Sequence, residues 1–287
     1  MSSITGKTRV CGIIGDPIEH TMSPAMHNAA FKALGLDYAY LAFRVRKEAL
    51  KNAIAGLKAL GIAGLNVTIP HKVDIMPLLD KLDPLAEKMG AVNTVVNEDG
   101  MLTGYNTDAP GFLQALKSSG IEPRDKKIVV IGAGGAAKGI TFVLAEAGAG
   151  LVVLNRTPSR AEELAAQMAR FYQQGLKAMA LSEANLEKAL AGADVLVNTT
   201  SAGMVPDVDL TPVPARLLRA DIAVFDIVYN PRETRLLREA KAAGARTIGG
   251  LDMLVWQGAL AFEKWTGQKA PFETMKKAAV KALQHEK

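Results

Sequence analysis

The chain of 287 residues is 49% hydrophobic and 22% charged, the balance of a globular protein that buries a substantial core in one large or two ordinary domains. Its net charge of +5 comes from lysines and arginines interspersed with acidic residues, and no basic segment carries aromatic residues, so we do not expect nucleic-acid binding. The single cysteine excludes an internal disulfide. The N-terminus lacks the apolar core of a signal peptide, and no apolar run approaches the roughly 18 residues that span a bilayer, so we expect a cytoplasmic protein without a membrane partner.

Strand-like and helix-like segments alternate from the start of the chain. RVCGIIG is predicted to be a strand, and a helix is predicted to follow with Ser23 as its N-cap and Pro24 at its first position. YAYLAF is predicted to be a second strand, and KEALKNAIAGLKAL an amphipathic helix.

The stretch GLNVTIPHK predicts a strand with two unlike faces. Leu65, Val67 and Ile69 take every second position and are expected in the core, whereas Asn66 and Thr68 share the opposite face. A proline then ends the ladder, because it has no N–H to donate, and a lysine follows two residues later. Further along, AVNTVVNEDGMLTGYNTD is predicted to be two short strands joined by a turn.

A linker-like segment, SSGIEPRDKK, precedes a region with a different pattern of predicted strands and helices. KIVVIGAGGAAKGITFVLAEAGAGLVVLNRT predicts a strand, a glycine loop, a helix and a strand. ADVLVNTT and IAVFDIVYNP are continuous apolar runs, which are typical of parallel strands buried on both faces. The last segments, LDMLVWQGALAFEKW and FETMKKAAVKALQ, are predicted to be helices.

These segments predict an α/β protein of two domains. An N-terminal α/β domain is expected over residues 1–110 together with about 252–287, because the C-terminal helices are expected to return to it. A Rossmann-like, doubly wound domain is expected over residues 111–251.

The glycine loop IGAGGAAKG indicates a dinucleotide-binding turn. Gly132, Gly134 and Gly135 lie between a predicted strand and a predicted helix, where the missing Cβ atoms let backbone N–H groups approach a pyrophosphate. The usual third glycine of this fingerprint is replaced by Ala137, which the motif permits because that position only requires close helix–sheet contact. The alternative is a tight turn without a ligand.

The end of the next predicted strand indicates which dinucleotide binds. NAD-binding proteins usually carry an acidic residue there, but this chain has Asn155 and Arg156. Arg156 and Arg160 can hold a 2′-phosphate with charge-assisted hydrogen bonds, and Thr157 adds a hydroxyl donor. The predicted cofactor is therefore NADP. The alternative is that both arginines are solvated residues of a helix's first turn.

Polar side chains gather at turns of the first predicted domain that we expect to meet in one cleft. They are Thr21, Ser23, Asn66, Thr68, Lys72, Asn93, Asn106 and Asp108. Hydroxyls, amides, one lysine and one carboxylate suit a small substrate with several hydroxyls and an anionic group. Each has a simpler alternative role: Ser23 and Asp108 as helix caps, Asn93 in a turn and Thr68 as an ordinary strand residue. The histidines lack metal-ligand spacing, so His71 is interpreted as packing or surface and no metal is expected.

Six ordered motifs resemble those of shikimate dehydrogenases. NVTIPHK, GAVNT, GYNTDAPG, GAGGAA, NRT and GGLDMLVWQGALAFEKWTG occur in the order of that family, and the resemblance runs from Gly12 to about Gly267. It implies an NADP-dependent enzyme that reversibly reduces 3-dehydroshikimate to shikimate in aromatic amino-acid biosynthesis. Its partners would be small molecules, and it would act as a monomer or homodimer.

The resemblance also implies roles for individual residues. Lys72 matches the family's catalytic lysine and Asp108 its acidic partner. Positions that contact the substrate in the family are matched by Thr21, Ser23, Asn66, Thr68, Asn93, Tyr229 and Gln257. Positions that bind the cofactor are matched by Gly132, Ala133, Gly134, Gly135, Ala136, Asn155, Arg156, Thr157, Arg160, Ile227 and Gly250.

One residue departs from the family pattern. Thr21 stands where the family usually has a serine, and its added methyl group near the substrate carboxylate favours quinate as an alternative or additional substrate. The sequence also leaves open a non-catalytic NADP-binding sensor and a different dehydrogenase of the same fold, such as one acting on a folate. Whether the lysine and the carboxylate share a proton as one titrating unit is likewise open.

Overall fold

The computed structural model describes residues 4–172 and 175–285. The chain divides into a first unit, Met1–Asp108 with Val255–Lys287, and a second unit, Ala109–Leu254. Residues 1–3, 173–174 and 286–287 of the two predicted domains lie outside the described residues. No helix in the described part of the chain has both the length and the apolar character needed to cross a membrane.

The first unit is built on a six-stranded mixed sheet. Its N-terminal elements are β1 (Arg9–Gly15), α1 (Ser23–Ala33), β2 (Tyr38–Arg44), α2 (Leu50–Ala59), β3 (Gly64–Val67), β4 (Lys81–Leu82), α3 (Pro84–Met89), β5 (Thr94–Glu98) and β6 (Met101–Tyr105). The strand order is β2-β1-β3-β5-β6-β4. β1 pairs in parallel with β2 and β3, whereas β5 is antiparallel to both β3 and β6.

The second unit is a doubly wound parallel sheet. Its elements are α4 (Asp108–Ser118, whose first residue belongs to the first unit), β7 (Lys127–Ile131), α5 (Gly135–Glu146), β8 (Gly150–Asn155), α6 (Pro158–Ala169), β9 (Lys177–Ala180), α7 (Glu183–Leu190), β10 (Val195–Asn198), β11 (Ala223–Asp226), α8 (Arg235–Ala242) and β12 (Arg246–Gly249). The strand order is β12-β11-β10-β7-β8-β9, and every pair is parallel. The order reverses between β7 and β10, which is where ligands bind in sheets of this kind.

Two C-terminal helices complete the fold. α9 (Gly250–Thr266) starts in the second unit and continues into the first, and α10 (Phe272–His285) packs against α1 within the first unit. The predicted return of the C-terminal helices to the first domain is therefore confirmed.

The apolar runs of the second unit form its core because helices cover both faces of a parallel sheet. Val129, Val130 and Ile131 of β7 are completely buried, as are Leu196 and Val224 of the neighbouring strands. The first unit has its own core on β1, β3 and β5, with α2 packed against it.

The structure corrects two local predictions in the first unit. Ser23 is not an N-cap: Met22 takes that position, and Ser23 is the first residue of α1, with Pro24 second. Ile69 is not in the core but 73% exposed. β3 ends at Val67, and the chain turns at Thr68, whose carbonyl accepts the N–H of His71 at 3.0 Å, so the alternation of faces stops before Ile69.

A buried histidine lies in the aromatic core of the first unit. The His27 ring stacks on Tyr40 with centroids 4.3 Å apart and lies 5.2 Å from the ring of Trp265. Neither ring nitrogen has a hydrogen-bond partner in the described part of the chain. Burial lowers the pKa of His27 from 6.5 to about 3, because the imidazolium would have to shed its water.

This depressed pKa predicts a loss of stability in mild acid. The unfolded chain takes up a proton as the pH falls through 6.5, but the folded state does not until about 3, so stability falls across that window. From pH 7 to pH 5 the loss from this group is about 2 kcal/mol. Urea unfolding followed by tryptophan fluorescence should show that His27→Leu removes this loss.

The control is His20→Gln, because His20 is exposed. This variant should keep the acid sensitivity of the parent chain. Parallel pH profiles for His27→Leu and the parent chain would show that His27 does not cause the loss.

Candidate active site

One edge of the first unit's sheet gathers the loops that carry its polar residues. β1 and β3 are parallel neighbours, so the segments that follow them leave the sheet at the same edge, and β5 starts there because it runs the other way. The N–H of Thr68 donates to the carbonyl of Ile14 at 3.0 Å, which ties the end of β3 to β1. A Cβ on Gly15 would collide with the methyl group of Thr68, so the glycine permits this close approach.

At this edge Lys72 forms an ion pair with Asp108. Lys72 Nζ donates to Asp108 Oδ2 at 2.5 Å, and the two side chains are 33% and 29% exposed. Lys72 lies on the turn after β3, and Asp108 is the first residue of α4, where the helix dipole favours a negative charge. The pair is therefore part-buried and open to a ligand on its remaining side. Asp108 stands inside the helix rather than before it, so it does not take the N-cap position considered for it.

Asn93 fixes the orientation of this carboxylate. Its Nδ2 donates to Asp108 Oδ1 at 2.8 Å and to Thr107 Oγ1 at 3.0 Å. Its Oδ1 accepts the backbone N–H of Thr107 at 2.7 Å, which determines which end of the amide faces Asp108. Asn93 is only 2% exposed and holds the Asp108 carboxylate, so it does more than satisfy a turn.

A second buried amide continues the network into the core. Asn66 Nδ2 donates to the carbonyl of Asn93 at 3.2 Å and to Thr94 Oγ1 at 3.1 Å, and Asn66 Oδ1 accepts from Tyr40 Oη at 2.6 Å. Both amide hydrogens of Asn66 are thus used within the protein. Tyr40, Thr94 and Thr107 were missed by the sequence reasoning. The two threonines follow the asparagines of GAVNT and GYNT, and that adjacency was the available signal.

The other predicted substrate residues of the first unit lie on its helices and loops. Thr21 Oγ1 accepts the backbone N–H of Ser23 at 3.3 Å at the start of α1. Ser23 is buried, whereas Thr21 and Thr68 are half-buried. Gln257 lies half-buried on α9, next to Gly258, whose Cβ position is 3.5 Å from His27 Nε2.

In the second unit, the glycine loop leaves room for an anion. Gly132 has φ +111°, and a Cβ there would lie 2.5 Å from Thr199 Oγ1. Gly134 is the N-cap of α5 and Gly135 its first residue, and no atom lies within 4 Å of where their Cβ atoms would be. Ala133 and Ala136 flank them, and Ala137 is completely buried against the sheet, as the fingerprint requires. The exposed helix N-terminus and its bare backbone fit a pyrophosphate.

The segment after β8 presents two free cations beside this loop. β8 is the parallel neighbour of β7, so its end lies at the same edge as the glycine loop. Asn155 Nδ2 donates to the carbonyl of Thr157 at 2.9 Å, and Thr157 is the N-cap position of α6. The guanidinium groups of Arg156 and Arg160 are exposed, and in the described residues neither has a hydrogen-bond or ion-pair partner. They fit the 2′-phosphate that the sequence predicts there.

The remaining predicted residues follow β11 and β12 in the second unit. The N–H of Ile227 donates to the carbonyl of Asn198 at 3.1 Å, and the N–H of Gly250 donates to that of Val228 at 3.3 Å. A Cβ on Gly250 would collide with the carbonyl of Ile227, so this close contact between the turn and α9 requires glycine. Tyr229 is 37% exposed.

The histidine of NVTIPHK is a packing residue. His71 is buried, and its Nε2 lies 2.7 Å from the carbonyl of Val45. In the part of the chain that the structure describes, no three histidine, cysteine or acidic side chains converge to hold a metal ion.

Comparison with known proteins gives matches along most of the chain. The family descriptions are the shikimate dehydrogenase substrate binding domain for residues 13–95, shikimate / quinate 5-dehydrogenase for residues 114–236, and the shikimate 5′-dehydrogenase C-terminal domain for residues 250–280. A relative from Methanosarcina acetivorans, named shikimate dehydrogenase (NADP(+)), is 52% identical over 278 residues, or 96% of this chain and 99% of the relative.

Solved structures agree with these sequence matches. A crystal structure of a shikimate dehydrogenase in complex with NADP⁺ has a TM-score of 0.92 and 47% identity, and covers 98% of this chain and 97% of its own. That of Thermus thermophilus shikimate 5-dehydrogenase, in complex with NADP(H) and shikimate, has a TM-score of 0.86 and 43% identity, and covers 96% and 99%. The predicted two-domain fold, with a substrate domain and a Rossmann-like NADP domain, is confirmed. The chain belongs to the shikimate dehydrogenase family.

Proposed function

We propose that this chain catalyses the reversible NADPH-dependent reduction of 3-dehydroshikimate to shikimate in aromatic amino-acid biosynthesis. The observation that carries the proposal is the Lys72–Asp108 pair, held at 2.5 Å at the ligand-facing edge of the first unit. Relatives about half identical over most of the chain bear the name shikimate dehydrogenase (NADP(+)). The enzyme works in the cytoplasm on small molecules, as a monomer or homodimer.

The protonated lysine is placed for the proton-transfer half of the reaction. When bound, NADPH would supply a hydride to the carbonyl carbon of the substrate, whose oxygen would then gather negative charge. Lys72 Nζ stabilises that oxygen and delivers a proton to it, and in the reverse direction the amine accepts the hydroxyl proton. Asp108 holds the ammonium by its Oδ2, while Asn93 holds the other carboxylate oxygen, so the pair is preorganised before substrate arrives.

We assign the substrate to the first unit, over residues 1–110 and about 252–287. The proposed contacts to its hydroxyls and carboxylate are Thr21, Ser23, Asn66, Thr68, Asn93, Gln257 and Tyr229. Because both hydrogens of Asn66 Nδ2 are already donated, this residue offers the substrate an oxygen lone pair rather than a donor.

We assign NADP to the second unit, over residues 111–251. The loop from Gly132 to Ala136 and the N-terminus of α5 hold the pyrophosphate, and Arg156, Thr157 and Arg160 hold the 2′-phosphate beside Asn155. Ile227 and Gly250 border the nicotinamide.

Quinate is the second candidate substrate because of one residue. Thr21 carries a methyl group where the family usually has a serine, and this half-buried side chain lies at the start of α1 next to Ser23.

A non-catalytic NADP-binding sensor needs no ammonium–carboxylate pair, and a folate-sized substrate does not match a polar cluster of this size.

A spectrophotometric panel tests the activity and the cofactor together. With shikimate, the enzyme should reduce NADP much faster than NAD, and quinate should be turned over more slowly than shikimate. Replacing both Arg156 and Arg160 by Gln should weaken the binding of NADP far more than the binding of NAD. The reason is that each charge-assisted hydrogen bond to a phosphate contributes about 1.5–3 kcal/mol.

Two outcomes of this panel would reject parts of the proposal. Cofactor binding without turnover of either polyol indicates the sensor. Equal losses for NADP and NAD in the double variant exclude a 2′-phosphate clamp at these arginines.

Removing either member of the ion pair should affect turnover rather than binding. Lys72→Ala should lower kcat by roughly 10²- to 10⁴-fold, the usual contribution of a positioned proton donor. Asp108→Asn should also lower kcat, because the ammonium loses the carboxylate that positions it. Steady-state kinetics across pH measure both effects.

Lys58→Ala is the matched control. Lys58 pairs with Asp80 at 2.8 Å in the same unit, with side chains 38% and 37% exposed, so its loss should leave kcat unchanged. Near-normal kcat and a raised KM in Lys72→Ala would disprove the proton role. Unaltered turnover in Asp108→Asn would show that the carboxylate is not needed to position Lys72.

A further inference from the structure

A buried carboxylate without a cation lies at the end of β11. Asp226 is completely buried. Its Oδ1 accepts from Asn198 Nδ2 at 3.0 Å and from the N–H of Val228 at 3.1 Å, and its Oδ2 accepts from Thr234 Oγ1 at 2.7 Å. All three donors are neutral, and within the described residues no lysine or arginine pairs with this side chain. Burial raises the pKa of Asp226 to about 6, so the carboxylate is charged above that pH.

The hydrogen bonds by themselves do not require a charge at this position. An asparagine of the same shape offers its Oδ1 to Asn198 and Val228, and its Nδ2 to the hydroxyl oxygen of Thr234. An ionised carboxylate buried without a cation is destabilising relative to such a neutral group. Asp226 therefore has two separable roles. Its hydrogen bonds join the turns after β10 and β11 to the start of α8, and its carboxylate places a negative charge there.

The sheet topology places this charge under one half of a dinucleotide. The strand order reverses between β7 and β10, and a bound dinucleotide straddles that point at the carboxyl ends of the strands. The glycine loop follows β7 and Arg156 follows β8, so the adenosine half lies on that side. The nicotinamide half then lies over the ends of β10 and β11. Asp226 is the last residue of β11 and immediately precedes Ile227.

We propose that the Asp226 carboxylate is a specificity-determining group for the oxidation state of the bound cofactor. This inference rests on the proposed NADP-dependent function. The oxidised nicotinamide ring carries a positive charge and the reduced ring is neutral, so a nearby buried anion stabilises bound NADP⁺ relative to bound NADPH. Such a charge favours hydride donation from the bound, reduced cofactor. It acts across the protein interior, where it is screened less than in water.

Asp226→Asn tests the charge while keeping the shape and the hydrogen bonds. Dissociation constants for NADP⁺ and NADPH are measured separately on the intact chain by calorimetry at pH 8, where the wild-type carboxylate is ionised. The ratio Kd(NADP⁺)/Kd(NADPH) should rise roughly fivefold or more in the variant, because one charge within roughly 15 Å of the ring contributes about 1 kcal/mol or more at an effective dielectric constant of about 20. Asp226→Ser, a second neutral variant, should shift the ratio in the same direction.

Two controls separate the charge from the fold. Asp194→Asn removes an acid from the opposite end of β10, where Asp194 pairs with Lys126 at 3.0 Å, and should leave the ratio unchanged. Thr234→Val removes a hydrogen bond from the Asp226 cluster but keeps its charge. It is expected to affect both nucleotides equally, and melting curves verify that each variant is folded.

The outcomes distinguish this inference from the function on which it rests. If the wild type binds both nucleotides and the ratio stays the same in Asp226→Asn, the charge has no role in cofactor preference. If Thr234→Val shifts the ratio as much as Asp226→Asn, Asp226 acts by position and the inference is overturned. If the wild type binds neither nucleotide, the proposed function fails, and this inference fails with it.

Discussion

The orientation of one buried amide determines the geometry of the candidate active site. Asn93 accepts the backbone N–H of Thr107 through its oxygen, which leaves its nitrogen to hold Asp108, and Asp108 in turn holds Lys72. A buried amide without these partners would destabilise the folded state through its unpaired polar atoms, so the network adopts one arrangement. Asn66 and Tyr40 extend that arrangement into the core. A lysine on a turn thereby acquires the fixed position that the proposed proton transfer requires.

The candidate site of the second unit is formed largely by backbone groups, whereas the candidate site of the first unit is formed by side chains. The parallel sheet of the second unit brings the ends of β7, β8, β10 and β11 to one edge, so loops far apart in sequence lie side by side. In the proposed function, bare glycines and a helix N-terminus hold a diphosphate, two exposed arginines hold a further phosphate, and the buried Asp226 stabilises a positively charged ring. The proposal thus divides the recognition of NADP among the glycine loop, the two arginines and the buried carboxylate.

Much of this arrangement could be read from the sequence because it is local. The apolar runs and the glycine loop predicted the second unit, and the polar face of GLNVTIPHK predicted the edge where Asn66 and Lys72 lie. Features that depend on partners distant in sequence could not be read in this way. Ile69 follows the alternation of its strand, yet a turn places it in solvent. In the sequence Tyr40 has the pattern of an ordinary aromatic strand residue. Only the structure shows that its hydroxyl donates to Asn66, 26 positions away. Asp226 lies within an apolar run, and nothing local shows that neutral donors from β10 and α8 surround it.

The central claim is that the Lys72–Asp108 pair faces the reacting oxygen of a small polyol. A crystal structure of this chain with NADP and shikimate tests it most directly. The account predicts that Lys72 Nζ and a carboxylate oxygen of Asp108 both lie within hydrogen-bond distance, about 3 Å, of the same shikimate hydroxyl. Shikimate bound with both side chains directed into bulk water, or away from its ring, would contradict the account.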